Sequence, residues 1–305
     1  MQTHVCIERI AMSARRKRSV VVTGASSGIG KATILRLATN GWRVFAAVRR
    51  EQDAELLRSQ SGNRVETVLL DVADEGSIRA AAEEVNSRVG NDGLDGLFNN
   101  AGIGAVSPIE YTTADSIRRV YEVNLFGQIS VIQAFLPLLR RAKGRIVNTG
   151  SVGDHLSPPF AGVLVSSKAA FASVSSSLRL ELRAQGIYVI VVEPGSVNTP
   201  AVEKSLDGVE KQITSLPPEG ARLYAVGIRR MAAAFVKNEK AGSSPDVVAK
   251  VVEKALNAKK PRTRYPAGKD SIMLITLARL LPEKLLDLAI MKTFGLPTKF
   301  GQAVE

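Results

Sequence analysis

The chain has 305 residues, 45% hydrophobic and 23% charged, a globular balance that excludes wholesale disorder and suits one large α/β domain. A single cysteine, Cys6, and two histidines, His4 and His155, exclude a disulfide framework and a structural zinc site; no metal is expected, and a reducing compartment fits. The net charge of +12 would suit nucleic acid or an anionic membrane, but no nucleic-acid-binding module is visible and aromatics are only 5%. No nucleic-acid partner is therefore expected, and the charge reads as a solvated surface around an anion-binding pocket.

Residues 1–18 read as a flexible basic tail, with Arg15-Arg16-Lys17-Arg18 before the first strand and Met12 as an alternative start. They hold no apolar stretch long enough for a signal peptide. Residues 19–305 then form one domain. Ser19–Val22 is a β-branched run, followed by a glycine loop and a helix over Lys31–Thr39. Further strands are expected at Arg43–Val48, Val65–Leu70, Leu94–Phe98, Arg145–Asn148 and Val189–Val192, with helices near Asp53–Ser59 and Ser77–Val89. Continuous apolar strands alternating with helices predict an α/β doubly wound parallel sheet, a Rossmann fold, which binds ligands beyond the C-terminal strand ends.

After Pro200 the pattern turns polar and weakly periodic, with Pro217-Pro218, and residues 197–243 are expected to form a substrate lid. Its apolar residues Leu206, Val209, Ile213, Leu223 and Met231 suggest an apolar ligand, or closure alone. Ser244-Pro245-Asp246 opens a helix, with Ser244 as N-cap. Residues 266–305 form a C-terminal helical extension whose apolar spacing (Ile272, Ile275, Leu285, Leu288) suits packing onto the body, a subunit contact or a membrane surface. No transmembrane helix is expected, since Ser271–Leu281 is short and carries Arg279. The expected location is cytoplasmic, with peripheral membrane contact left open.

The loop Gly24-Ala25-Ser26-Ser27-Gly28-Ile29-Gly30 lies between strand and helix. Gly24 permits the turn, Gly28 lets backbone approach a pyrophosphate, and Gly30 lets helix and strand pack closely. The second strand ends in Val48-Arg49-Arg50 where an acidic residue would hold an adenosine ribose. A guanidinium pairs with a 2′-phosphate that a carboxylate would repel, so NADP(H) is favoured over NAD(H).

The set Thr23–Gly30, Asn99-Asn100-Ala101-Gly102, Asn124, Ser151, Ser167-Lys168 and Pro194-Gly195 resembles the short-chain dehydrogenase/reductase family over residues 17–265. The C-terminal segment with Arg264-Tyr265-Pro266 is similar to its hydroxysteroid and retinol dehydrogenase branch. The resemblance implies that Asp71 and Val72 contact the adenine and that Asn100, Ala101 and Gly102 line the middle of the cofactor. It places Pro194, Gly195, Val197 and Thr199 at the nicotinamide end, with the amide paired near Val197. It gives Lys168 the nicotinamide ribose, Ser151 the substrate oxygen, and Asn124 a water linking Lys168 to solvent. Simpler roles stand beside these: Asn124 satisfying a backbone carbonyl, Ser151 capping a turn. It also implies a homodimer or homotetramer paired through two long helices.

In that family a tyrosine four residues before the lysine, on the same helix face, supplies the proton when hydride reaches a carbonyl carbon. Here that position is Leu164, which has no proton to give. His155, Tyr224, Lys168 itself or water remain as substitute donors. The expected function is an NADP(H)-dependent oxidoreductase with an atypical proton donor, acting on an apolar small molecule. The alternative is a non-redox NADP(H)-binding pseudoenzyme or regulatory protein.

Overall fold

The computed structural model describes residues 16–104, 106–301 and 304. Expectations for His4, Cys6, Met12 and Arg15 lie outside the described residues, as does the side chain of Leu206. Arg16 is not tail-like: its guanidinium forks onto the Asp95 carboxylate at 2.7 and 2.9 Å.

Seven strands form one parallel sheet in the order β3-β2-β1-β4-β5-β6-β7: β1 Ser19–Val22, β2 Arg43–Val48, β3 Val65–Leu69, β4 Gly96–Asn99, β5 Arg145–Thr149, β6 Tyr188–Pro194 and β7 Arg264–Ala267. Alternate strand residues feed opposite faces, as the two-residue period of a strand requires. Val21, Phe45 and Leu97 enter one core with α3 (Glu75–Val89), α5 (Gly127–Ala142) and α6 (Gly162–Glu181). Val20, Val22, Val44 and Phe98 enter the other with α1 (Gly28–Thr39) and α9 (Pro245–Asn257). Helix α2 (Glu51–Gln60) links β2 to β3. The sheet is covered on both faces, which is why its strands read as unbroken apolar runs.

The expected six strands form within two residues of their predicted bounds, and β7 adds a seventh. Its sequence, Arg-Tyr-Pro-Ala, carries little strand signal. It pairs only with β6, and an edge strand tolerates Pro266.

Helix α4 (Ala114–Tyr121) runs into a π turn at Glu122–Phe126 and then into α5. The stretch 114–142 is long and apolar enough to cross a membrane, with mean hydropathy 1.3, but α5 sends Val131, Phe135 and Leu139 into the core at 0% exposure. Asn124 lies on this π turn, and one widened turn swings a side chain off the regular helical face.

The expected lid is a helical hairpin, α7 (Pro200–Thr214) and α8 (Pro218–Lys240). Val209 and Ile213 pack with Ala225, Ile228 and Ala232, and this small core seats on Tyr111 and Phe160. Met231 is buried and Leu223 exposed. Val209 and Ile213 thus serve the closure of the hairpin. Ser244 sits at the N-cap of α9 with extended backbone, yet its hydroxyl makes no capping bond. The extension forms α10 (Ser271–Leu280) and α11 (Glu283–Thr293).

Candidate functional site

The cleft opens where β1 and β4 lie side by side while their connections leave in opposite directions, the switch point at which doubly wound sheets bind ligands. Its volume is about 390 Å³. Gly24, Ser26, Ser27, Gly28 and Ile29 form one wall, and Arg49, Asp71 and Val72 close the end beneath β2 and β3. Asn100, Ala101, Gly102, Leu164, Lys168 and Thr199 line the remainder.

The glycine turn is fixed by sterics. Gly24 has φ +63° and Gly28 φ +53°, backbone that glycine adopts readily. A Cβ on Gly30 would stand 2.2 Å from the Gly24 carbonyl oxygen, so Gly30 lies behind the turn rather than in the cleft. Thr23, unremarked in sequence beyond its place in the loop, ties the turn to β4. Its Oγ1 accepts from the backbone N–H of Asn100 and Ala101, and Asn100 Nδ2 donates to the Thr23 carbonyl at 3.1 Å. At the N-cap of α1, Ser27 is exposed and makes no side-chain capping bond. The first amides of α1 and the positive end of its dipole thus remain for an anion.

The two arginines after β2 separate. Arg50 closes a bidentate pair with Asp53 at 2.9 and 2.9 Å, whereas Arg49 lines the cleft and is exposed. Asp71 accepts the Ala73 N–H at 3.0 Å, which fixes the turn after β3.

Lys168 donates to the Thr149 carbonyl at 3.3 Å. Its stem borders the cleft, so the residue is only partly covered, but its ammonium is enclosed, and that burial pushes its pKa below the usual lysine range. Asn124, on the π turn and fully buried, accepts the Ile103 N–H and donates to the Ile103 carbonyl and Ser167 Oγ, so its side chain serves backbone carbonyls and the lysine helix. A Cβ on Gly102 would stand 3.3 Å from Asn124 Oδ1 and 3.4 Å from Lys168 Nζ, which places both polar ends against one glycine.

Other expected residues stand elsewhere. Ser151 is not among the residues that line the cleft; its Oγ accepts the Gly153 N–H at 3.0 Å and caps the turn Val152–Asp154. His155 does not line the cleft; its Nε2 lies 2.7 Å from Glu193 Oε1, drawn there by a buried carboxylate on β6. Tyr224 donates to Glu110 at 2.7 Å on the lid side and is not a neighbour of Lys168. Pro194, Gly195 and Val197 do not line the cleft. A Cβ on Gly195 would stand 2.1 Å from Asp270 Oδ1, and the Val197 N–H donates to Glu239 Oε2 at 2.9 Å. The C-terminal segment and α8 therefore hold the backbone expected to meet the nicotinamide amide.

Thr149, Asp154, Glu193 and Glu239 were not read from sequence. Carboxylates are usually solvated, and only the fold reveals that Asp154 and Glu193 are covered and that Glu239 is partly so.

Fold and cleft together define a Rossmann-type NAD(P)-binding oxidoreductase. Residues 18–210 match the family model for short chain dehydrogenase. Retinol dehydrogenase 16 of Rattus norvegicus is 35% identical over 96% of this chain and 93% of its own. An NADPH-dependent 3-dehydrocapnine reductase of Ornithobacterium rhinotracheale is 32% identical over 88% and 95%. A short-chain dehydrogenase structure from Streptomyces avermitilis superposes with TM-score 0.73 and 26% identity, covering 92% of this chain and 98% of that one. The chain belongs to the short-chain dehydrogenase/reductase family, in its retinol dehydrogenase-like branch.

Proposed function

We propose that the protein is an NADP(H)-dependent oxidoreductase that transfers hydride to or from a small apolar molecule and draws its proton from Lys168 in place of a tyrosine. The observation that carries this reading is the pairing of a dinucleotide cradle with an enclosed lysine ammonium in a cleft where Leu164 offers no proton.

The residues present fit the cofactor. A cradle that a Cβ would fill at Gly24 and Gly28, with the amides of α1 beside it, suits a pyrophosphate. Arg49 would meet a 2′-phosphate at the far end, which favours NADP(H). When bound, the dinucleotide supplies or accepts hydride. Lys168 would hold the nicotinamide ribose and, with its pKa lowered by burial, carry a proton that it gives up more readily than a solvated ammonium would. Leu164 and Val123 keep the reacting end apolar, and water kept out strengthens the field of the ammonium there. Ser151, whose Oγ accepts from Gly153, keeps its own hydrogen free to steady a substrate oxygen. A relative named for NADPH-dependent reduction and another named for retinol support the cofactor and the apolar substrate class.

Binding of NADPH against NADH, then NADPH oxidation across a ketone, enone and imine panel, tests this. NADPH preference with turnover of at least one class is expected. Tight binding with no turnover anywhere would favour a non-redox cofactor-binding protein, a reading that Leu164 alone supports.

Assembly and placement belong to the same proposal. The groove formed by Ile109 in the short turn before α4, Tyr121 on α4, Phe126 on the π turn and Val163 on α6, with Phe126 half exposed, suits pairing with a second copy as a homodimer or homotetramer. Ile272, Met273, Leu277 and Leu280 of α10 are exposed near Arg279 and Lys284, which suits peripheral contact of a cytoplasmic protein with an anionic membrane.

A further inference from the structure

Behind the floor of the cleft lies a second cluster of titratable side chains. Asp154 ends the short turn that Ser151 caps, its side chain 2% exposed. Neither carboxylate oxygen accepts a hydrogen bond of ordinary geometry, and the nearby Thr149 hydroxyl is buried without a partner too. Gly150 leaves room for the carboxyl, since a Cβ there would stand 2.5 Å from Asp154 Oδ2. Gly150 follows directly on Thr149, whose carbonyl receives the Lys168 ammonium. The carboxyl and the ammonium thus flank the same strand end.

The charged groups that meet at that turn come from several elements. Helix α6 brings Lys168, β6 brings Glu193 and the turn itself brings His155. From β7, Arg264 Nη1 lies 3.7 Å from Asp154 Oδ2 and 2.5 Å from Glu193 Oε1. The only titratable residue of α10 is Arg279, which is exposed. Glu193 is 1% exposed and the His155 side chain 16%, so the cluster runs from Lys168 to a partly solvated imidazole.

A buried carboxylate whose one cationic contact, Arg264, is as long as 3.7 Å is costly as an anion and cheap as an acid. We propose that Asp154 is the proton store behind Lys168, a positioning residue that returns to the Lys168 amine the proton it gives to substrate. The proposal rests on the reading of Lys168 as proton donor. In the reducing direction, the substrate carbon gains hydride and its oxygen takes one proton from the Lys168 ammonium, leaving the neutral amine. The Asp154 carboxyl O–H then breaks and its proton reaches the Lys168 nitrogen through a bridging water, since neither Asp154 oxygen is in hydrogen-bond contact with that nitrogen; a carboxylate is left beside Arg264. That carboxylate recovers a proton from solvent on the side where the cluster opens at the partly exposed His155, so each turnover consumes one solvent proton. The electrostatics agree: burial, aided by Glu193, pushes Asp154 up to about 7, and outweighs the Ser151 amide, Lys168 and Arg264, which favour the anion. Burial pushes Lys168 the opposite way.

The test is a carboxyl ¹³C titration of the full chain labelled at aspartate, without cofactor, between pH 5 and 9. One resonance should titrate near neutrality, vanish in Asp154→Asn, and move to higher pH in Lys168→Met, because a neighbouring positive charge is gone. Should Asp154→Asn not fold, the shift in Lys168→Met identifies the resonance. An Asp154 midpoint in the ordinary carboxylate range, or one that Lys168→Met leaves in place, overturns the proposal whether or not the enzyme turns over. With whichever panel member is reduced, Asp154→Asn should lower kcat by about 10-fold or more with KM held, and flatten the fall in kcat on passing pH 7. A parallel loss in kcat and KM with an unchanged pH profile would mark Asp154 as merely structural. Absence of all turnover would sink the reductase reading and leave the titration to decide on Asp154.

Discussion

The ammonium of Lys168 donates to the carbonyl oxygen of Thr149, 3.3 Å away, and that one contact fixes it at the C-terminal end of β5. Four residues earlier on the same helix, Leu164 lines the same cleft. A side chain at this spacing lies one turn from the lysine, so the geometry for a hydroxyl is kept while the hydroxyl is not.

Leu164→Tyr should therefore raise the rate of NADPH-dependent ketone reduction by about 10²–10⁴-fold, the usual contribution of a general acid. Initial rates across the ketone members of the panel measure it. No gain, in a variant that still binds NADPH, would show that the cleft does not hold a ketone near Lys168.

Arg49→Ala should weaken NADPH binding by about 10- to 100-fold, as expected for loss of a charge-assisted hydrogen-bond pair, with NADH binding unchanged. Arg50→Ala should do much less, because Asp53 already holds that guanidinium. Isothermal titration of both variants with both dinucleotides separates the two arginines, and equal losses would count against the assignment of Arg49.

Gly30→Ala should cost about 1–3 kcal/mol of stability and disrupt cofactor binding, since its Cβ would meet the backbone oxygen of Gly24 at 2.2 Å and no side-chain motion relieves that. Denaturant melts and NADPH titration check it together. Gly41→Ala, where nothing lies within 4 Å but φ is +85°, isolates backbone strain from crowding.

Glu239 gives a pH prediction. Burial first, then the charge of Asp270, pushes its pKa up to about 7, against the Val197 N–H, which favours the anion. Between about pH 4.5 and 7 the folded chain thus binds more protons than the unfolded one. Its contribution to stability is full below the unfolded value and is lost as pH rises through about 7. Asp154 acts in the same direction. The melting temperature should fall from pH 6 to pH 8, and Glu239→Gln, which still accepts from Val197, should make that fall shallower. An identical slope in the variant would refute the assignment.

The parts legible in the sequence share one property: each was a local pattern. The apolar runs of β1, β2 and β5 announced a covered sheet, and the glycine turn placed the cleft. Lys168 was placed by the family resemblance that the surrounding motifs carry. What escaped depended on distant segments meeting. Nothing local marks Asp154 as covered, because its cover comes from β6 and β7. The N–H of Val197 is taken by a residue 42 positions later. His155 stands away from the cleft for the same reason, since its ring meets Glu193. The π turn carrying Asn124 has no sequence signature of its own, and the lid helices were hidden by a weak period.

β7 has a practical consequence for anyone trimming this chain. The family-matched segment stops at residue 210, yet β6 borrows its outer partner from residues 264–267. A fragment ending before Arg264 would leave the amides and carbonyls of β6 along one side without mates, an open seam of Val189, Val191 and Val192 ready to recruit another molecule. Such a fragment should be sticky rather than merely weaker, and the shortest well-behaved version of this protein must run past Ala267.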